Sequence, residues 1–289
     1  MLIRQSTIKT FMECGLKYRF QHVDRLPREQ NGAITWGSVL HDTIMRMEEW
    51  HLAAKAGDPP PLDRARDYFR EVWSDPTTLD ASLKIDYFLP RTSWKKYLDD
   101  GLTLIEKWWG IYQWDTDTVI AREYEFTVPV MGTDHHLTGT IDRLALRYMG
   151  GIDAHAVLIQ DYKTGRKMPT YNYLQHDLQF TAYAYASTQP EFWQGLPNGD
   201  ELYALYQGKH RWAEWIHLRA PKRMDAGERS DLHYERLKYA INNIADAIAL
   251  GIFIPNISGE SCTYCDFRKS CGLPTLEAEG YLDPIKTPG

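Results

Sequence analysis

A chain of 289 residues, 43% hydrophobic and 25% charged, has the composition of a globular protein with room for one large domain or two small ones. No apolar run approaches the roughly 18 residues that a membrane span needs, so neither a transmembrane helix nor a stable lipid anchor is expected. A net charge of −6 supplies no overall basic field of the kind that marks many nucleic-acid-binding domains, although local fields decide phosphate binding and a metal site itself gathers carboxylates.

Ser6 reads as an N-cap for a short first helix carrying Ile8, Phe11, Met12 and Cys14 on one face. A second helical pattern runs from Trp36 to Lys55, with apolar residues at three- and four-residue steps, and ends at Gly57-Asp58-Pro59-Pro60-Pro61. From there to Trp114 a charged, aromatic stretch reads as an inserted helical subdomain over 57–114. Arg122–Val130 and His136–Arg147 are β-type runs joined by Met131-Gly132-Thr133-Asp134, a hairpin connection. Ala156–Lys163, with its apolar Ala156–Ile159, suits a central buried strand. A helix is expected over Asn172–Ser187, strands at Glu201–Gln207 and Ala213–Leu218, and a long helix over Arg229–Leu250. The order is mixed α/β.

The cysteines are split between the two ends of the chain: Cys14 stands alone, and Cys262, Cys265 and Cys271 form C-x2-C-x5-C. The opening residues lack the apolar core of a secretory signal, so a reducing compartment is expected and metal ligation is the better use of four thiols than disulfides. Four thiolates suit either Zn²⁺ or an iron–sulfur cluster, and would join a region at 1–20 to one at 255–275. Cys14 as a buried free thiol is the alternative.

Asp161 and Lys163 share one face of their strand, where a carboxylate and an ammonium suit a cleft better than a core. With Asp142 on the neighbouring strand, two carboxylates can hold a hard divalent cation and leave positions for water and phosphate. A lone D-x-K is more often a surface ion pair, and a lone helical histidine more often a satisfied core residue. What lifts the reading is four elements in order: Gly37-x3-His41, Gly139-x2-Asp142, Asp161-x-Lys163 and Gln179-x3-Tyr183.

With these motifs in place the chain resembles the RecB-like exonucleases of the PD-(D/E)xK nuclease superfamily. Within them it resembles the branch with an iron–sulfur cluster, which includes CRISPR-associated adaptation exonucleases, the AddB nuclease domain and related phage exonucleases. The resemblance implies a single restriction-endonuclease-like domain over 1–289, with a central mixed sheet flanked by helices and a cluster region joining the two ends. It implies that His41, Asp142, Asp161 and the main-chain carbonyl of Tyr162 bind Mg²⁺ or Mn²⁺, that Lys163 positions the attacking water, and that Gln179 and Tyr183 support the site. It also implies a [4Fe–4S] cluster on Cys14, Cys262, Cys265 and Cys271, in preference to Zn²⁺. Two departures are modest: Asp161 stands where many relatives carry Glu, and Gly15 where proline is common.

The expected activity is metal-dependent DNA exonuclease action on single strands or free ends, in recombination, repair or CRISPR adaptation-like processing. Expected partners are DNA, copies of the same chain, and a recombination or helicase subunit, with no membrane. A cytoplasmic setting in a prokaryotic or phage-infected cell is expected, a eukaryotic organelle or nucleus being the alternative. Arg166, Lys167, Lys209 and Arg211 are candidate phosphate contacts. A catalytically silent DNA-binding subunit on the same scaffold is the rival reading.

Overall fold

The structure, a computed structural model, describes residues 1–27, 32–55, 61–80, 83, 91–112, 117–150, 155–165, 167–220, 222–257, 262 and 265–272. The chain opens with β1 (Leu2–Arg4), α1 (Gln5–Glu13), α2 (Gly15–Tyr18) and a π-helical turn at Arg19–Val23. Next come α3 (Gly32–Ala53), α4 (Pro61–Ser74), α5 (Arg91–Tyr112), β2 (Thr118–Pro129), β3 (His136–Tyr148) and β4 (His155–Lys163). The remainder is α6 (Tyr171–Gln175), α7 (Leu178–Ala186), α8 (Pro190–Gln194), α9 (Gly199–Tyr206), β5 (Arg211–His217), β6 (Lys222–Arg229), α10 (Asp231–Ala249) and α11 (Arg268–Cys271). No helix among the described residues is long and apolar enough to cross a membrane. The chain divides into two compact units, one of Met1–Ser6 with Gln30–Asn243 and one of Thr7–Glu29 with Ile244–Gly289.

The first unit is built on one mixed six-stranded sheet. β2 pairs antiparallel along one edge of β3; β1 (parallel) and β4 (antiparallel) take different stretches of β3, at 136–138 and 143–148. β5 then adds parallel to β4, and β6 antiparallel to β5. β4 is therefore internal, which is why its apolar run Ala156–Ile159 is fully buried. Successive side chains of β4 take opposite faces. Tyr162 packs edge-on against Trp108 of α5, within a core shared by α3, α4 and α5, whereas Asp161 is held by Gln179 of α7. Helices thus cover both faces. Trp36, Phe69 and Trp73 are wholly buried in the α3–α5 core, and truncating any one of them to Ala costs about 3–5 kcal/mol.

Several local expectations need correction. Glu201–Gln207 is helical rather than strand-like: α9 begins at Gly199, and Asp200 and Glu201 in its first turn complement the helix dipole. The helix expected over 172–187 is two. α6 ends at Gln175, and Asp177 caps α7 by accepting hydrogen bonds from the N–H groups of Gln179 and Phe180. The helix expected from Arg229 begins at Asp231, because Lys222–Arg229 forms β6, a strand too polar to show apolar alternation and irregular in register near Gly227. Ser6 lies inside α1, not at its cap.

In the second unit the early and late segments of the chain meet. Tyr18 stacks on Phe253 and Phe20 packs against Phe267. Gly15 N–H donates to the Ile254 carbonyl at 2.9 Å, and a Cβ at position 15 would lie 2.8 Å from the Ile254 nitrogen. That close approach explains glycine at this position, since proline would lose the hydrogen bond and collide. The four cysteines are unbridged: Cys262 is exposed and the other three are half-buried. Cys14 Sγ accepts backbone N–H groups from Lys17 and Asn256, both at 3.4 Å.

Candidate active site

The site lies in the first unit, where β3 and β4 part. Their pairing stops at Arg143 opposite Gln160, one residue short of Asp142 and Asp161. Beyond that point the backbone N–H of Tyr162 goes to the Asp142 carboxylate, with Oδ2 accepting at 2.7 Å. The fork satisfies a buried donor with a side chain and fixes that side chain as it does so.

His41 reaches the fork from α3. Gly37, one turn earlier, lets the helix approach the end of β4, since a Cβ there would stand 2.9 Å from Thr164 Oγ1. His41 Nε2 lies 3.2 Å from Asp142 Oδ2, and Nδ1 lies 3.2 Å from Glu123 Oε1. One ligand atom from each of His41, Glu123 and Asp142 falls within 4.8 Å of the others. Burial disfavours a charged imidazole, but the Asp142 hydrogen bond and the charges of Asp142, Glu123 and Asp161 outweigh it and raise His41 to about 9. Burial likewise works against the Asp142 carboxylate, yet His41, Lys163 and the Tyr162 N–H hold it below its ordinary range.

Asp161 is almost wholly buried. Its Oδ1 accepts from Gln179 Nε2 at 2.7 Å, and its Oδ2 has the Lys163 ammonium at 2.6 Å. Gln179 Nε2 also reaches Tyr183 Oη at 3.0 Å, and Gln5 Nε2 donates to that same hydroxyl at 3.0 Å. A chain of side chains from Gln5 to Lys163 thus backs the Asp161 carboxylate.

His41, Asp142, Asp161, Lys163, Gln179 and Tyr183 therefore lie in one connected constellation, and Tyr162 contributes its N–H to it. The candidate phosphate contacts fare differently. Arg211 is buried, its guanidinium spent on the carbonyls of Ser187, Gln207 and Lys209, so it does not serve as a surface contact. Lys167 is exposed and Lys209 half-buried, while Arg166 lies outside the described residues.

Glu123 was not among the residues that the motifs single out. It sits between Arg122 and Tyr124, which pair with Arg143 and Ile141, so it stands opposite Asp142. Its φ of 46° is rare for a residue with a side chain. Two carboxylates directly opposed across a sheet repel unless something positive lies between them.

The ligand atoms of His41, Glu123 and Asp142, gathered within 4.8 Å of one another, are a donor set of the kind that a divalent cation takes. The model of the PD-(D/E)XK nuclease superfamily matches residues 4–272, and the chain belongs to that superfamily. No curated protein matches. Among solved structures, the crystal structure of SSO0001 is similar at 12% identity, over 82% of this chain and 97% of that one, with a TM-score of 0.32, too slight a likeness to carry an argument.

Superfamily members use divalent metals, and the residues present fit one. The opposed pair Glu123 and Asp142 beside His41 is a donor set suited to Mg²⁺ or Mn²⁺, and Asp161 Oδ2 faces the Lys163 ammonium. Binding a cation there requires the His41 proton to leave. Below a folded value of about 9, each unit of added pH makes that departure tenfold easier. Mn²⁺ affinity is therefore expected to rise by at least about tenfold per unit from about pH 6 to about pH 8, more steeply in the lower half, where the raised Asp161 carboxyl also gives up a proton, measured by calorimetric titration; a flat profile would place the ion away from His41.

Proposed function

We propose that this protein is a divalent-cation-dependent exonuclease that hydrolyses DNA phosphodiester bonds on single strands or at free ends. The observation that carries this reading is the fork, where His41 and Asp142 lie 3.2 Å apart and Asp161 presents its carboxylate beside Lys163. His41, Asp142, Asp161 and the Tyr162 carbonyl, with Glu123 alongside, would hold a divalent cation, which would supply Lewis acidity toward a phosphate and a bound water. The chain's own residues do the rest. The Tyr162 N–H and Gln179 fix the two aspartates before substrate arrives, so little reorganisation is needed during reaction. Lys163, whose side chain is 37% exposed, is placed to orient the attacking water and to offset charge on the pentacovalent transition state. Action from an end, and a place in recombination, repair or CRISPR adaptation-like processing, rest on the resemblance to RecB-like exonucleases.

The second part of the proposal is a [4Fe–4S] cluster on Cys14, Cys262, Cys265 and Cys271. All four belong to one compact unit, and two backbone N–H groups already point at Cys14 Sγ, as suits a thiolate. Joining segments so distant in sequence closes a long loop and stabilises the unit.

The test is a time course on end-labelled single- and double-stranded DNA with Mg²⁺, Mn²⁺ or EDTA, using protein purified without oxygen and assayed for iron. Progressive shortening with either metal, none with EDTA, and about four irons per chain are expected. Absence of metal-dependent cleavage on every substrate would overturn the nuclease reading, and protein without iron the cluster.

A further inference from the structure

We propose that Arg219 is a phosphate-binding residue of this site, holding the nucleic-acid backbone beside the phosphate being cleaved. The inference deepens the nuclease reading above and rests on it. A cleft of about 730 Å³ opens at the fork, and His41, Asp142, Lys163, Thr164, Tyr97 and Arg219 help to line it. Among the described residues its lining carries two permanent positive charges, Lys163 and Arg219. A polyanion entering a cleft rich in carboxylates, on a chain of net charge −6, needs local cations to hold it.

Arg219 is anchored to the strand that bears Asp161 and Lys163. The N–H of its neighbour Leu218 donates to the Lys163 carbonyl at 2.9 Å, and Arg219 Nε donates to the Thr164 carbonyl at 2.5 Å. His217 Nε2 donates to the Gly165 carbonyl at 2.7 Å, fixed in that tautomer by the Ala220 N–H on Nδ1. The turn after β5 is thus fastened to residues 163–165 at three points. The guanidinium lies 4.3 Å over the ring of Trp36, itself fully buried and bonded through Nε1 to the Tyr97 carbonyl. The cation–π contact and the Nε bond hold the guanidinium at the edge of the cleft, and its planar fork is the group suited to phosphate oxygens. No sequence motif marks this arginine.

The test measures binding of a fluorescent single-stranded oligonucleotide, with Ca²⁺ in place of Mg²⁺, over a range of salt. Arg219→Ala removes the Thr164 contact as well as the charge, so Arg219→Gln, which keeps a donor, is the informative variant. It is expected to lose about tenfold in affinity and to lower the slope of log affinity against log salt by about one, with Mn²⁺ affinity unchanged. Arg219→Lys keeps the slope with part of the affinity, because it retains charge without the planar fork. Wild-type affinity and slope in Arg219→Gln would overturn the proposal, as would a matching fall in Mn²⁺ affinity, which would mark a structural role. Wild-type protein that binds but never cuts, with the slope still lowered in the variant, would support this inference and sink the nuclease reading. Wild-type protein that binds no nucleic acid would sink both.

Discussion

Asp161→Asn is expected to lower divalent-dependent cleavage by at least about 10³-fold while the metal-free protein melts no lower than the wild type. The loss follows from the metal-ligand role proposed for Asp161 and from removal of the counter-charge that holds Lys163 in place. The stability follows from the opposite side of the same chemistry. Burial pushes the Asp161 carboxyl above its ordinary range; Lys163 opposes this and Asp142 adds to it. A carboxylate held up in this way destabilises the folded state as pH rises past its unfolded value, and the amide removes that penalty. Asn retains an acceptor for Gln179, and the partly exposed Lys163 can turn to water. Single-turnover rates and calorimetric melting in EDTA at pH 8 check both halves. Cleavage that survives in a clean preparation would refute the assignment, and a clear loss of melting temperature would mark Asp161 as structural.

Glu48→Ala is expected to cost about 3–5 kcal/mol of stability. Glu48 is almost wholly buried on α3, where it pairs with Arg122 and, at 2.7 Å, with the equally buried Arg143. Removing it strands Arg143 with Gln160 and with Asp117 at 3.7 Å. The consequence reaches the site. Glu48 follows His41 by about two helical turns on the same face, and its partners adjoin Glu123 and Asp142 in sequence. The pairing therefore sets how α3 presents His41 to both carboxylates, and Mn²⁺ affinity should fall together with stability. Glu48→Gln, which keeps a hydrogen-bonding side chain of the same shape, should cost less. Urea unfolding and Mn²⁺ titration of the two variants measure this; a change within about 1 kcal/mol for Glu48→Ala would show that the network contributes little.

Much of the site was legible because its residues sit on strongly patterned elements. The apolar run before Asp161 suits an internal strand, and Gly37-x3-His41 lies on a helix with apolar residues at three- and four-residue steps. Glu123 was missed for an instructive reason. In Glu123-Tyr124-Glu125 it reads as one side of a solvated strand, yet counting outward from the turn at 131–134 sets it across from Asp142, as the register confirms. Arg219, Gln5 and Glu48 were not legible, because each acts through partners far away in sequence: Thr164, Tyr183 and Arg143. The strand β6 and the break between α6 and α7 escaped because polar composition and a single capping aspartate override periodicity there.

The most direct test is anomalous scattering from crystals soaked in Mn²⁺. One strong manganese peak is expected at the fork, bonded to His41 and to Asp142, with Glu123 or Asp161 completing the carboxylate set. Full manganese occupancy elsewhere, with the fork empty and His41 still paired to Asp142, would contradict it.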